Sequence, residues 1–494
     1  MNLTPVPSIP PAPTSTLSMA GYATPMEVTI RRLLWLALLV GGPLLAPLVE
    51  YPQVGQTVPL LTTLLCIELF PVLWPRWVDI AAPTVATSDV GIVAAFSTAG
   101  ILSNAITAGT FNAPFLGGYD HDQIAAVVRT VIWAKMLGST CYLLGFHNQR
   151  VTERFSRWFP DLANRPWNRA RLRVANALFL VLFLITYVIF QIRLGVPLWD
   201  PTHLKEAKAV WRDDPSMSWM MRGVQLIFIP VFFAVVDAFA SRKTGRIIVF
   251  CGIFLVAAFL NFRLGQRGVP IRAIFGLMLL FHLLYRKLPL VVLAISVLFA
   301  IEIMNYTLAW RMDEGATTTA RIAAEEDDSA TGRVTNTLSN YETDRNRLSA
   351  LTLVFAEFPE NRDFVLGQTW LTLPLAIVPR WIWAEKTELY KWGDSSTMAT
   401  LAQAPIPTPL VGLFYLNFSW FGIAIGMFFW GAFHGGAYRW LNRSRGDVNV
   451  VLLYTTIILY FLPTDMGISA FLQYVAPLWV VLRFITDKRA PSAS

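Results

Sequence analysis

The sequence predicts an all-α, polytopic membrane protein with about twelve transmembrane helices and one long loop late in the chain. Three observations carry this. Of 494 residues, 55% are hydrophobic and only 15% charged, with a mean hydropathy of +0.50, whereas soluble domains run near a quarter charged. Several apolar runs reach the roughly 20 residues that cross a bilayer. The basic residues gather in short linkers that fall on one side when the runs alternate.

In chain order, residues 1–30 begin with a stretch rich in Pro, Ser and Thr and are expected to form a disordered arm on the inner side. No small-residue cleavage site follows the first apolar run, so no removable signal peptide is expected. Candidate spans lie at 33–50, 57–75, 90–110, 124–146, 174–194, 222–240, 247–262, 271–285 and 288–309, filling 31–309. Three more, at 409–433, 449–463 and 467–484, fill 409–486, and 487–494 is a tail.

Arg31 and Arg32, the arginine-rich linker 148–173, SRKTGR at 241–246, Arg286 and Lys287, RWLNRSRG at 439–446 and DKR at 487–489 all land on one side. By the positive-inside rule that side is the inner one and holds both termini. The pattern accounts for the net charge of +8 without nucleic acid. Cys66, Cys141 and Cys251 sit inside apolar runs, so neither a disulfide framework nor a zinc site is expected.

The opposite side holds a long segment, 310–408. It opens with acids that read as a solvated loop (Glu325, Glu326, Asp327, Asp328) and continues into TNTLSNYETDRNRLSALTLVFAEF, a predicted helix. The run Trp370–Val378 is too short to span and reads as a re-entrant or interfacial piece, which needs protein or a water-filled cavity around its backbone. Pro379 stops it, and Arg380, Trp381, Trp383 and Lys386 follow at once.

Cations should be sparse on that side. Yet Arg129 and Lys135 lie in the fourth span, Arg263 and Arg267 at the end of the seventh, Arg345 and Arg347 in DRNRL, and Arg380 and Lys386 after Pro379. A Lys or Arg near a helix centre costs about 2.5–3.5 kcal/mol on insertion scales. A membrane-level diphosphate explains such a set, because Arg meets phosphate bidentately through strong charge-assisted bonds. Trp381 and Trp383 would anchor at the interface and stack on sugar faces.

Each reading has a plainer rival. The indoles, with Trp392, form an interfacial belt. Arg263 and Arg267 snorkel, Arg345 and Arg347 offset the acids of their own loop, and Arg129 and Lys135 pair with Glu68 or Glu302 in other spans.

Residues 345–431 resemble the bacterial oligosaccharide repeat-unit polymerases, the O-antigen polymerase (Wzy-like) family related to the O-antigen ligases. The pattern is an Arg-bearing helix, a turn at Gly367, then Val378-Pro379-Arg380 with Trp383 and Lys386. Thr408-Pro409, Gly412, the Tyr415-x-Asn417-Phe418 motif and glycines 422, 426 and 431 complete it. RLGQRG, with Arg267, resembles the Arg-bearing turn that these enzymes carry at a helix end. The sequence departs from the family near Tyr415, where an acid is often found and Leu413 and Phe414 stand instead.

The resemblance implies a GT-C-like glycosyltransferase of the bacterial inner membrane, working on the periplasmic side. It would move a growing glycan en bloc from undecaprenyl diphosphate onto a new lipid-linked repeat unit, alongside a chain-length regulator protein. Diphosphate leaves readily, so the arginines would act by electrostatic stabilisation, and the acceptor hydroxyl would want a base. Candidates for that base are His121, Asp122 and Glu357. Tyr415 and Asn417 would join Trp381 and Trp383 at the sugar–lipid interface. No cofactor is expected, and a divalent cation at Asp120 and Asp122 is the variant on that expectation. His147, His282 and His434 fall near inner helix ends and are set aside. The competing functions are an O-antigen ligase, a flippase for the same lipid-linked sugar, and a membrane scaffold.

Overall fold

Chain order begins with a helix that starts sooner than its hydropathy suggests. In the computed structural model, Thr24 caps α1 (Pro25–Leu45), its Oγ1 accepting from the Glu27 amide at 3.2 Å, and Pro25 sits in the first turn. Helix α1 therefore takes in residues 25–30, which the sequence assigns to the disordered arm. The structure describes residues 24–49, 52–75, 78–86, 92–107, 120–195, 226–241, 244–263, 268–285, 347–368, 409–461 and 475–487, with isolated positions between them.

Regular structure among these residues is helical. It comprises α1, α2 (Val58–Leu73), α3 (Ile92–Thr107), α4 (His121–His147), α5 (Gln149–Ser156), α6 (Arg169–Leu194), α7 (Phe228–Ser241), α8 (Thr244–Arg263) and α9 (Gly268–Leu284). After the long loop come α10 (Arg347–Glu357), α11 (Leu410–Arg443), α12 (Val448–Thr456) and α13 (Ala476–Ile485), with short turns elsewhere. Five helices are long and apolar enough to cross a membrane: Pro25–Leu45, Pro52–Leu73, Asp122–His147, Arg169–Leu194 and Leu410–Arg443. The chain is a helical membrane protein. Shorter apolar helices lie at Ile247–Asn261, Ile271–Leu284, Val448–Leu459 and Ala476–Ile485, in four of the other expected spans; 288–309 lies largely outside the described residues, as does the first half of 467–484.

Helices α1 and α2 are antiparallel and tied by polar contacts to backbone. Trp35 Nε1 donates to the Cys66 carbonyl at 2.7 Å, and Arg31 and Arg32 reach the carbonyls of Val72 and Trp74 at 3.0 and 3.1 Å. These two arginines satisfy the last carbonyls of α2, which have no partner within that helix.

The main seam joins α4 to α11. Added methyl groups on Gly145, Gly431 and Gly435 would strike the backbone carbonyls of Phe428, Tyr142 and Phe146. Small residues here let two spanning backbones touch. The contacts advance together along both helices, so α4 and α11 run parallel.

Helix α11 is longer than any span needs, and it is broken. Phe418 and Ser419 leave helical geometry, with Ser419 at φ 57°, ψ −151°. The residues after the break, 420–443, would extend about 36 Å, enough to span alone. The two turns before it fold back on them: Phe414 lies over Gly422 and Gly426, and Val411 reaches Gly138 beside Ile423 and Met427. The expected single span at 409–433 is thus a short returning helix followed by a full one.

Two large apolar cores result among the described residues, beside a smaller cluster of Val72, Ala82, Val85, Ile92 and Ile271. One unites α2, α3, α4, α10 and the N-terminal part of α11, and the other α6 to α9, α12, α13 and the C-terminal part of α11.

Candidate functional site

The candidate site sits at the end of the bundle opposite the arginine-rich linkers. Three pieces form it: the start of α4, helix α10 with the turn after it, and the returning turns of α11. Leu351, Val354, Phe355 and Phe358 bury themselves with Val128 and Val131 of α4 and Leu413 to Leu416 of α11 in one core. Gly367 and the Tyr415–Asn417 part of the family-like pattern therefore occupy one unit, although the chain between 368 and 409 separates them.

Polar ties fix that unit. Asn417 Oδ1 accepts from the Gly367 amide at 2.9 Å, while its Nδ2 donates to the Leu413 carbonyl at 2.7 Å. Gly367 itself holds φ +86°, open to glycine without strain. Tyr415 donates to the Phe358 carbonyl at 3.1 Å, stacks on Phe355 at 3.9 Å between ring centres, and meets Phe364 and Trp420 edge-on. Both motif side chains are buried and engaged within the protein. They hold the loop rather than face outward, while Phe418 and Trp420 beside them are exposed.

The cations separate into two kinds. Arg129 donates to the side-chain oxygens of Gln53 and Gln56 at 3.0 and 3.1 Å. These partners are neutral, so the guanidinium is oriented without being neutralised. Lys135 faces Glu68 at 3.3 Å and Thr98 at 3.2 Å, and Thr98 in turn donates to Glu68 at 2.6 Å. Glu68 is fully buried, so this is a closed ion pair inside the helices.

Among the candidate bases, Asp122 is exposed in the first turn of α4, and Glu357 pairs with Arg362 at 3.5 Å. His121 begins α4, but its side chain is outside the description. Asp120 is occupied as a helix cap, accepting from the Gln123 amide at 2.8 Å and donating its own amide to Gln123 Oε1 at 3.0 Å.

Arg263 ends α8 and Arg347 begins α10, both with side chains outside the description. Arg267, Arg345, Arg380, Trp381 and Lys386 lie outside the described residues, and Trp383 is an isolated, partly exposed position.

Sequence reasoning missed a second constellation, at the basic end. Asp79, between α2 and α3, binds the hydroxyl of Tyr438 at 2.5 Å and the guanidinium of Arg445. The His282 Nε2 faces its other oxygen at 3.7 Å. His282 Nδ1 accepts from the Leu288 amide at 2.9 Å, which leaves the ring proton on Nε2, toward Asp79. Burial alone would raise the Asp79 carboxyl, but His282, Arg445 and Tyr438 together hold it well below the usual carboxylate range. Tyr454 closes the group by donating to the Ala81 carbonyl at 2.6 Å. The sequence offered one signal: Asp79 is the sole acid between Glu68 and Asp89.

Compared with protein-family models, curated proteins and solved structures, the chain matches none.

Proposed function

We propose that the protein is a glycan polymerase of the bacterial inner membrane. It would transfer a growing oligosaccharide from undecaprenyl diphosphate to a new lipid-linked repeat unit. In this reading the chain has about twelve spans in a GT-C-like arrangement, with both termini in the cytoplasm and the α10–α11 end facing the periplasm. One observation carries the reading. At that end Arg129 is oriented by Gln53 and Gln56 with no acid paired to it among the described residues, as an anion site requires. The pieces of the family-like pattern around Gly367 and Asn417 also fold into one unit there.

Diphosphate binding falls to Arg129, Arg263, Arg267, Arg345, Arg347, Arg380 and Lys386. Lys135 joins them only if the substrate displaces Glu68. Of the two candidate bases whose side chains are described, Asp122 is the more exposed; Glu357 would first have to leave Arg362. Trp381, Trp383 and the exposed Trp420 are the sugar platforms. Tyr415 and Asn417 position the loop.

The test is a polymer ladder from the host strain carrying Arg129→Ala, Arg263→Ala, Arg267→Ala or Arg380→Ala, each at normal membrane level. Collapse to a single repeat on lipid A supports the polymerase. Long chains left on the carrier lipid point to a ligase. Single units retained inside point to a flippase, which the buried Glu68–Lys135 pair and the broken α11 would also suit. Full ladders in all four variants would defeat the diphosphate reading of this face.

A further inference from the structure

Helix α5 follows α4 after a sharp turn at Asn148, whose side chain accepts from the Val151 amide at 3.1 Å. At 100° per residue its eight residues divide into three faces. Thr152 and Ser156 are buried against Gly435 and Gly436 of α11, where added methyl groups would collide with them. Phe155 lies on the second face, toward α11. Its ring meets Phe433, deeper in α11, at 5.8 Å and Trp158, which is 73% exposed, at 4.7 Å. Arg150 and Arg154, with the C-cap residue Arg157, form the third face, within an arc of about 60°. All three are exposed and make no ion pair among the described residues. The nearby acid, Glu153, is already engaged by Arg443 at 2.5 Å and Arg439 at 3.8 Å.

An unpaired arginine stripe beside an exposed indole, on a helix lying across the end of a spanning bundle, has the form of an interfacial lipid site. The indole suits the headgroup boundary. Each cation at an anionic surface is worth about fivefold in affinity, and Arg grips phosphate through two bonds at once. We propose that α5 clamps anionic phospholipid headgroups, with Arg150, Arg154 and Arg157 on phosphate and Trp158 at the acyl boundary. The site is separate from the candidate catalytic end and independent of the function proposed for it.

The test uses the full chain, purified in neutral detergent, and follows thermal unfolding as phosphatidylglycerol, phosphatidylcholine of the same chain length, or inorganic phosphate is added. Phosphatidylglycerol should stabilise selectively and less strongly at high salt. Combined Arg150→Gln, Arg154→Gln and Arg157→Gln should raise its half-effect concentration roughly tenfold or more. The corresponding triple Lys variant should keep most of the preference, because it keeps the charge. Stabilisation by inorganic phosphate equal to that by the lipid would overturn the lipid assignment. So would equal effects of the two lipids on the wild type, or an unchanged preference in the Gln variant. Should that variant not fold, Arg154→Gln alone with the salt dependence of the wild type decides; a salt-independent preference rejects the clamp.

Discussion

Asn417 holds the amide of Gly367, fifty residues earlier, at 2.9 Å. Both groups are buried, and Gly367 has the left-handed φ of +86° that turns the chain toward α11. Replacing Asn417 by Ala leaves a buried amide without a partner, a loss of about 1–3 kcal/mol. We expect a lower melting temperature and a shortened polymer ladder. Tyr415→Phe loses only the bond to Phe358 and should cost about 1 kcal/mol. Equal melting of Asn417→Ala and wild type would show that the tie does not hold the loop.

Ser419 carries the fold-back of α11 at φ 57°, ψ −151°, a region essentially reserved for glycine. Ser419→Gly should therefore raise stability by about 1 kcal/mol, and Ser419→Val should lower it by more. Thermal unfolding of the two variants checks this. A destabilised glycine variant would mean that the serine side chain, not the backbone, shapes the break.

These relationships were unequally legible in the sequence. Hydropathy and charge alternation located most helices, because spanning length and linker charge are local properties. The start of α1 was readable in Thr24-Pro25, a cap ahead of the apolar run. The break in α11 was not, since neither Phe418 nor Ser419 signals it as Gly or Pro would. The partner of Lys135 was open between Glu68 and Glu302, and only packing selects Glu68. The Asp79 group was out of reach, because Tyr438 and Arg445 lie more than 350 positions away and Arg445 reads as an ordinary linker charge.

Glu68 and Lys135 allow structure and catalysis to be separated. Lys135→Met takes a cation from beside a fully buried carboxylate and should cost about 3–5 kcal/mol. Adding Glu68→Gln removes that buried charge, and the double variant should recover most of that loss. Polymer ladders then decide the role of the lysine. A stable double variant with a normal ladder assigns Lys135 to the fold alone; a stable one with a collapsed ladder gives it to the substrate.

Asp79→Asn should cost about 3 kcal/mol, because Arg445 loses its carboxylate inside a mostly buried group. Adding Arg445→Gln should restore part of that. The pH dependence has a definite sign. The folded carboxyl lies well below its ordinary range, held there against burial by His282, Arg445 and Tyr438. Its stabilising contribution is therefore complete above the unfolded value near 4. It is lost as pH falls through that value toward the folded one. The melting difference between wild type and Asp79→Asn should stay constant from neutral pH down to about 5 and shrink only below about 4. If the difference instead disappears well above about pH 5, a group other than the Asp79 carboxyl sets the strength of this junction.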